Sequence, residues 1–343
     1  MKVTNAIFGL EGLMPTAREI DFFRSVDPFG FILFARNIKD ADQVRALTAA
    51  LREISGRDEL PILIDQEGGR VQRLRAPRFQ EAVPAGRIAD LAERDEAAGI
   101  RAARLHALSI GLQLRGLGIT VDCAPCLDLR FEGASAVIGD RSYGKDPDLV
   151  GKLGLAAVEG FREAGVMPVI KHLPGHGRAL VDSHHGLPII DTDLTILEKT
   201  DFKPFVTCRA GTWGMTAHLV LTAVDPDRPI TQSATGIQDI IRDRIGFEGP
   251  LMTDDLSMNA LTGEMVCRAD KAIAAGCDLL LHCNGKIDEM EAVAEASVPL
   301  AGAALKRISE TPIPRPASRL SIAEVQAELT ELLGPSIRAE GSV

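Results

Sequence analysis

Short apolar runs rich in β-branched residues alternate with longer amphipathic stretches along most of the chain. The runs with strand character cover residues 3–10, 30–34, 60–64, 118–123, 166–170, 214–217, 250–253 and 277–281. Helical periodicity marks residues 41–54, 88–114, 148–164, 234–245 and 265–275. Several of the short runs are apolar throughout, which is typical of parallel strands that are covered on both faces.

Eight strand–helix repeats predict an α/β fold, a TIM-type (β/α)8 barrel made by a single domain. An open doubly wound sheet is the alternative, but no Gly-x-Gly-x-x-Gly turn follows an early strand. We expect the barrel over residues 1–310. Residues 311–343 are expected to form a Pro-rich connector, a short helix that Ser321 and Glu324 open as a capping box, and a frayed tail over 336–343.

Composition narrows the classes of partner. The net charge is −10 and aromatic residues make up only 4% of the chain, so we expect neither nucleic acid nor an anionic membrane surface as a partner. No uncharged apolar run reaches the roughly 18 residues of a membrane span. Glu11 interrupts the apolar run near the N-terminus, which disfavours a secretory signal.

Most of the six cysteines lie within apolar runs, as reduced thiols do in cytoplasmic proteins. We therefore expect a cytoplasmic location. Cys123 and Cys126 have the spacing of a redox pair, but they follow a predicted strand rather than opening a helix that could lower a thiol pKa. Two packing thiols are the favoured interpretation, and redox or metal chemistry is the alternative.

Charged or imidazole side chains follow seven of the eight predicted strands. They are Arg36 with Asn37, Asp65 with Glu67, Asp128, Lys171 with His172, His218, Asp254 with Asp255, and His282. In a barrel the ends of the strands meet at one face, where catalytic residues gather. A ring of such groups predicts a pocket for a polar substrate at that face.

Four of the seven histidines lie between residues 171 and 188, where a Pro-Gly turn ends a strand and predicts a long loop. A zinc site is one interpretation, although His172 and His176 are spaced within the turn rather than on a helix. A purely structural loop is another. In the third, an extended segment turns Asp182 and His184 to the same side, and the carboxylate orients an imidazole that donates a proton near neutral pH.

A proton donor needs a partner, and an apolar strand ends in the adjacent carboxylates Asp254 and Asp255. Adjacent strand residues point to opposite sides, so only one of the two is expected to face the site. The other can cap the following segment. A proton donor opposite a carboxylate nucleophile is the arrangement of glycoside hydrolysis with retention of configuration.

Three motifs carry a resemblance to a known family. They are Asp-Gln-Glu-Gly-Gly-Arg-Val-Gln-Arg-Leu over residues 65–74, the segment 171–184, and Thr-Asp-Asp-Leu-Ser-Met over residues 253–258. Residues 139–143 and 275–284 add weaker support. From about residue 30 to 284, the chain resembles the β-N-acetylhexosaminidases of glycoside hydrolase family 3. It is most similar to the short, single-domain, cytoplasmic bacterial form that acts in peptidoglycan recycling.

The resemblance implies roles for eight residues. Asp254 is the implied nucleophile, His184 the acid/base, and Asp182 its dyad partner. The implied ligands of a non-reducing N-acetylglucosamine are Asp65, Arg73, Arg141, Lys171 and His172. The chain departs from the family at Leu173, where Phe is usual, and at Asp140, where Asn is common. The implied partner is a muropeptide that contains N-acetylglucosamine, and no cofactor or metal is implied.

The expected reaction is a double displacement, in which Asp254 forms a glycosyl ester and water then hydrolyses it. Three alternatives stay open. The acetamido group of the substrate could attack in place of Asp254, phosphate could replace water, or the chain could be a sugar-binding protein without turnover. The complete set of Asp182, His184 and Asp254 argues against the last of these.

Overall fold

Eight parallel strands form one sheet in the computed structural model, which describes residues 2–334. In chain order they are β1 (Thr4–Phe8), β2 (Pro28–Leu33), β3 (Ile62–Ile64), β4 (Val121–Asp122), β5 (Met167–Leu173), β6 (Trp213–Thr216), β7 (Leu251–Met252) and β8 (Leu280–His282). Consecutive strands pair from β1 to β7, and β8 pairs with β1. A parallel bridge between Met252 and Leu279 joins β7 to β8. The TIM-type barrel prediction is confirmed.

Side chains alternate between the two faces of the barrel wall. Leu63 belongs to a hydrophobic cluster inside the barrel, whereas its neighbours Ile62 and Ile64 belong to the larger cluster between the wall and the helices. Both faces are therefore apolar, which explains why the strands lack polar alternation in sequence. Continuing the same alternation turns Asp65 towards the barrel axis.

The described residues also form eleven α-helices. They are α1 (Ala17–Val26), α2 (Ala41–Ser55), α3 (Ala85–Ala92), α4 (Glu96–Gly116), α5 (Pro147–Ala164), α6 (Leu194–Lys199), α7 (Lys203–Cys208), α8 (Met265–Ala275), α9 (Ile287–Ala296), α10 (Gly302–Glu310) and α11 (Ile322–Leu333). The helices predicted over 41–54, 148–164 and 265–275 are confirmed as α2, α5 and α8.

Two helix predictions need correction. A single helix over 88–114 is wrong, because the side chain of Asp95 accepts a hydrogen bond from the amide of Ala98 and so begins a second helix, α4. The segment predicted over 234–245 is helical but takes π geometry over Gly236–Arg244. Outside the barrel, the two-residue strands Ile189–Ile190 and Val220–Leu221 pair in parallel.

The C-terminal helix begins as predicted. The Ser321 side chain accepts from the Glu324 amide, and the Glu324 carboxylate accepts from the Ser321 amide, which completes the capping box. Arg101 of α4 makes a bidentate ion pair with Glu328 at 2.6 and 2.8 Å, so α11 lies against the helical layer. The division at residue 310 stays a prediction, and the tail over 336–343 lies outside the described residues.

Across residues 2–334, no helix has both the length and the apolar composition that crossing a bilayer requires.

Candidate active site

A cavity of about 290 Å³ lies at the C-terminal ends of the barrel strands. Its lining includes the eight residues that the resemblance places in the site, namely Asp65, Arg73, Arg141, Lys171, His172, Asp182, His184 and Asp254. These residues come from the ends of β3, β5 and β7 and from the loops that follow β3, β4 and β5, and the barrel brings them to one face.

The floor of the cavity is a network of paired charges, buried or half-buried, formed by Asp65, Glu67, Arg73, Arg141 and Lys171. The two oxygens of Asp65 lie 2.9 Å from Lys171 Nζ and 3.0 Å from Arg73 Nη2. Burial alone would raise the pKa of Asp65, but the charges of Lys171 and Arg73 outweigh it and hold the pKa well below the usual carboxyl range. Asp65 is therefore a fixed negative charge.

Glu67 joins the floor without bordering the cavity. Its carboxylate accepts two hydrogen bonds from Arg141, at 2.7 and 2.8 Å, and lies 2.8 Å from Lys171 Nζ. Burial would raise the pKa of Glu67, yet Arg141 and Lys171 lower it to about 2. This residue was recognised in the sequence only as part of a polar strand end. Nothing in the position of Glu67 along the chain indicates that it would contact both Arg141 and Lys171.

Asp128 orients the two histidines at the end of β5. Its Oδ2 lies 2.6 Å from His172 Nδ1, and its Oδ1 accepts a hydrogen bond of 2.6 Å from the His176 amide. Burial would raise the pKa of Asp128, but the His172 contact outweighs it and holds the pKa below the usual range. The thiol of Cys126 also donates to Asp128, at 3.2 Å.

The zinc interpretation of the histidine-rich segment finds no support among residues 2–334. The metal-compatible group found there is Cys126, Asp128 and His172, which includes just one histidine of that segment. Burial and the neighbouring charge of Asp128 raise the pKa of Cys126 well above the usual range, so a thiolate ligand is disfavoured. The three side chains form a hydrogen-bonded unit in which His172 borders the cavity and Asp128 and Cys126 do not.

Cys123 and Cys126 are both free and buried. Burial also raises the pKa of Cys123 well above the usual thiol range. Protonated, shielded thiols are poor nucleophiles, so the structure favours the interpretation of these residues as packing thiols.

Asp254 and Asp255 both border the cavity, but their carboxylates have different hydrogen-bond partners. Strand β7 ends at Met252, and beyond that point the alternation of a strand no longer applies. Asp255 is held by three hydrogen bonds, from the amide and hydroxyl of Ser257 and from the amide of Cys283. This carboxylate therefore stabilises the turn after β7.

The carboxylate of Asp254 accepts fewer hydrogen bonds than that of Asp255. Its Oδ1 accepts one hydrogen bond of 2.7 Å from the amide of Asp255. Burial would raise the pKa of Asp254, but the nearby rings of His172 and His218 and the Asp255 amide lower it below the usual range. At neutral pH Asp254 is thus an anion whose second oxygen makes no hydrogen bond within the described residues.

The predicted dyad is present, although its backbone differs from the expectation. Asp182 Oδ1 lies 2.8 Å from His184 Nδ1 and also accepts from the His184 amide at 2.9 Å. The segment is a turn rather than an extended strand, since the amides of His185 and Gly186 donate to the carbonyl of Asp182. Partial burial would raise the pKa of Asp182, but the hydrogen bonds from His184 lower it below the usual range.

Two contacts connect the dyad turn to the loop that follows Asp254. The amide of Ala260 donates to the carbonyl of Ser183 at 3.1 Å, and Asn259 Nδ2 donates to the carbonyl of His184 at 3.0 Å. Nearer its base, the long loop is fixed by an ion pair between Arg178 and Asp201 at 2.8 Å. The acid/base candidate and the nucleophile candidate are therefore carried by loops that contact each other.

Some of the polar residues at strand ends stabilise the fold and do not line the cavity. Asn37 donates to the carbonyls of Leu10 and Gly12, at 3.1 and 2.7 Å, and His282 Nε2 lies 3.2 Å from Glu289. His218 holds the carbonyl of Asp255 at 3.1 Å, beneath the site. Conversely, His176 borders the cavity but was not predicted as a site residue.

Comparisons with known proteins agree with this geometry. The Glycosyl hydrolase family 3 N terminal domain matches residues 27–310. A Beta-hexosaminidase of Aromatoleum aromaticum is 38% identical over 268 residues, which cover 76% of this chain and 74% of that protein. A Beta-hexosaminidase of Pseudomonas aeruginosa is 37% identical over 306 residues, covering 88% of this chain and 86% of its own.

Solved structures show the same architecture. Native NagZ from Neisseria gonorrhoeae superimposes with a TM-score of 0.87 at 29% identity, and the match covers 98% of this chain and 99% of that one. The same NagZ has been solved in complex with N-trifluoroacetyl-D-glucosamine, again with a TM-score of 0.87.

Proposed function

The chain belongs to glycoside hydrolase family 3 and is a glycoside hydrolase of the β-hexosaminidase type, and from this we propose that it is a retaining exo-β-N-acetylglucosaminidase. One observation carries the mechanism. The hydrogen-bonded pair of Asp182 and His184 borders the same cavity as the ionised carboxylate of Asp254. A proton donor and a carboxylate nucleophile are the two groups that retention requires.

In the first step, Asp254 attacks the anomeric carbon and forms a glycosyl ester. His184 in its protonated form gives its proton to the leaving oxygen, while Asp182 orients the ring through its contact with Nδ1. In the second step, neutral His184 takes a proton from water, which attacks the same carbon and releases Asp254. Each step moves one proton through the ring nitrogen of His184 that faces away from Asp182.

The floor and His172 bind the non-reducing sugar. The carboxylate of Asp65 accepts hydrogen bonds from hydroxyls, while Arg73, Arg141 and Lys171 donate them. Because the charges of the floor are already paired with one another, they need little rearrangement when the substrate arrives. The complex of the Neisseria NagZ with N-trifluoroacetyl-D-glucosamine supports an N-acylated glucosamine as the occupant.

The substrate we propose is a muropeptide with a terminal N-acetylglucosamine, released during peptidoglycan recycling in the cytoplasm. The resemblance to the short bacterial form supports this substrate. The free cysteines, five of which are buried, support a reducing compartment.

The function is tested with the purified full chain and a synthetic N-acetylglucosaminyl-anhydromuropeptide, with proton NMR following the anomeric signal of the released sugar. We expect the β-anomer of N-acetylglucosamine to appear first and to mutarotate later. First appearance of the α-anomer would contradict retention. Absence of any release would favour a binding protein, and a product phosphorylated at the anomeric carbon in phosphate buffer would favour a phosphorylase.

The identity of the nucleophile is tested separately with a 2-fluoro sugar that traps the glycosyl ester. We expect mass spectrometry of a protease digest to find the label on Asp254. An unlabelled Asp254, together with tight inhibition by a thiazoline, would instead indicate attack by the acetamido group of the substrate.

A further inference from the structure

His176 is a buried histidine in the wall of the cavity that the mechanism above does not use. The residue is 3% exposed, and its ring lies edge to face with the ring of His172, with centroids 5.8 Å apart. The backbone amide is held by Asp128 at 2.6 Å. Neither ring nitrogen has a hydrogen-bond partner among residues 2–334.

The backbone on both sides of His176 is closely packed. A side chain at Gly177 would place its Cβ 2.0 Å from the carbonyl oxygen of Leu129, and Gly175 has a φ of +138° and would place a Cβ 3.0 Å from the Cβ of Asp201. Only glycine allows this close approach of the backbone. The surrounding backbone therefore holds His176 in a fixed position at the cavity wall, as is typical of a preorganised binding residue.

The ring of His176 is a neutral group. Burial and the neighbouring His172 lower the pKa of His176 to about 4, so near pH 7 one ring nitrogen donates a hydrogen bond and the other accepts one. A buried polar group that makes no hydrogen bond loses its hydration without compensation, and most native proteins avoid this outside functional sites. Within the described part of the chain, the ring of His176 finds no polar partner.

The floor recognises its ligand with charges, whereas His176 offers a neutral donor and acceptor. A sugar hydroxyl suits such a group because one oxygen can both accept and donate. The χ2 torsion of histidine is soft, so a modest rotation can turn a ring nitrogen towards a hydroxyl in the cavity. We infer that His176 is a substrate-binding residue whose ring hydrogen-bonds a hydroxyl of the non-reducing sugar, an assignment that rests on the proposed function.

The test uses the His176→Phe variant, which keeps an aromatic ring against His172 but removes both nitrogens. We expect kcat/KM for an aryl β-N-acetylglucosaminide to fall about tenfold, the value of one hydrogen bond. We expect the melting temperature to stay equal to that of wild type or to rise, because the uncompensated burial of two polar atoms is removed.

His106→Phe is the matched control. His106 is also buried, with its pKa lowered to about 4 by burial, but its Nε2 has a partner, the carbonyl of Val83 at 2.9 Å, and it does not border the cavity. Its replacement should lower the melting temperature and leave kcat/KM unchanged. If only His176 binds the substrate, His176→Phe lowers kcat/KM without lowering the melting temperature, whereas His106→Phe lowers the melting temperature without changing kcat/KM.

A series of aryl glycosides lacking the 3-, 4- or 6-hydroxyl identifies the contact. The tenfold loss in His176→Phe should disappear for one member of the series and persist for the others. An equal loss on every member, or a lower melting temperature for His176→Phe, would assign His176 a structural role and overturn the inference. Failure of wild type to cleave the parent glycoside would overturn the proposed function as well.

Discussion

The floor of the cavity and the dyad turn differ most in their exposure to solvent. The side chains of Lys171 and Glu67 are 3% and 7% exposed, whereas those of His184 and Asp182 are 63% and 28% exposed. Each floor carboxylate contacts two cations, while within the described residues the ring of His184 has one hydrogen-bond partner, Asp182.

This difference matches the two tasks. Groups that bind neutral hydroxyls gain from charges that are fixed before the substrate arrives. A group that gives a proton in one step and takes one from water in the next needs contact with solvent, and an imidazole can do so near neutral pH without burial. We therefore expect floor substitutions to change stability and substrate binding, and dyad substitutions to change the chemical steps.

The largest expected effect is at the nucleophile. Asp254→Asn should lower kcat by more than about 10⁴-fold while the melting temperature stays near that of wild type, because the amide keeps the shape but cannot attack. Asp255→Asn should cost less in kcat and more in stability, since it weakens the hydrogen bonds to Ser257 and Cys283. Steady-state kinetics and thermal melts check both. A greater loss of kcat in Asp255→Asn would reverse the assignment within the pair.

The next effect tests the exposed dyad. His184→Ala should lower kcat/KM about 10²–10⁴-fold for an alkyl glycoside, whose leaving oxygen needs a proton in the transition state. An aryl glycoside with an acidic phenol should lose much less in the first step. Asp182→Asn should fall between wild type and His184→Ala. Equal losses on the two classes of substrate would indicate a structural histidine.

Glu67→Gln tests the floor. Removing one charge from a buried ion pair leaves Arg141 and Lys171 short of a partner, which should lower the free energy of unfolding by about 3 kcal/mol. We also expect KM to rise more than kcat falls, measured on the aryl glycoside. Asp288→Asn, which breaks an exposed pair with Arg18, is the control and should leave both quantities unchanged. A change in kcat alone would place Glu67 in the chemistry instead.

The pH dependence of the free energy of unfolding is a second test of the floor. The pKa of Glu67 in the fold is about 2, below its ordinary value of 4.5. The charged form therefore contributes stability that is fully present above about pH 4.5 and is lost as the pH falls towards 2. Urea unfolding between pH 3 and 6 should show wild type losing stability more steeply than Glu67→Gln. Parallel curves for the two proteins would mean that Glu67 titrates normally.

The smallest expected effect concerns the contact between the two loops. Asn259→Ala removes the hydrogen bond to the carbonyl of His184 and should lower kcat/KM for the alkyl glycoside by roughly three- to tenfold. The aryl glycoside should be nearly unaffected, because its leaving group needs little help. Thr262→Ala, an exposed change in the same loop, is the control. A uniform loss on both substrates would show that Asn259 supports the fold rather than the position of His184.

Local signals in the sequence were sufficient to predict the barrel and to select eight residues that line one cavity. Eight apolar runs of strand length marked the eight strands, and the motif around Asp182 and His184 marked the dyad. The expected reason for the dyad contact was nevertheless wrong, since a turn and not an extended segment brings the two together. The break before α4 was missed although Asp95 was visible, because the apolar periodicity continues across it.

Uninterrupted apolar runs indicate which strands have two buried faces, and the motifs indicate which side chains can do chemistry, because both signals come from residues close together in the chain. Glu67 contacts Arg141 and Lys171, which lie 74 and 104 positions further along the chain. Asn259 donates to the carbonyl of His184, which lies 75 positions before it. Such pairings depend on the closure of the barrel, which sets the distance and the burial of each group. Burial and nearby charge then set the pKa of each carboxylate, and neither can be read from spacing along the chain.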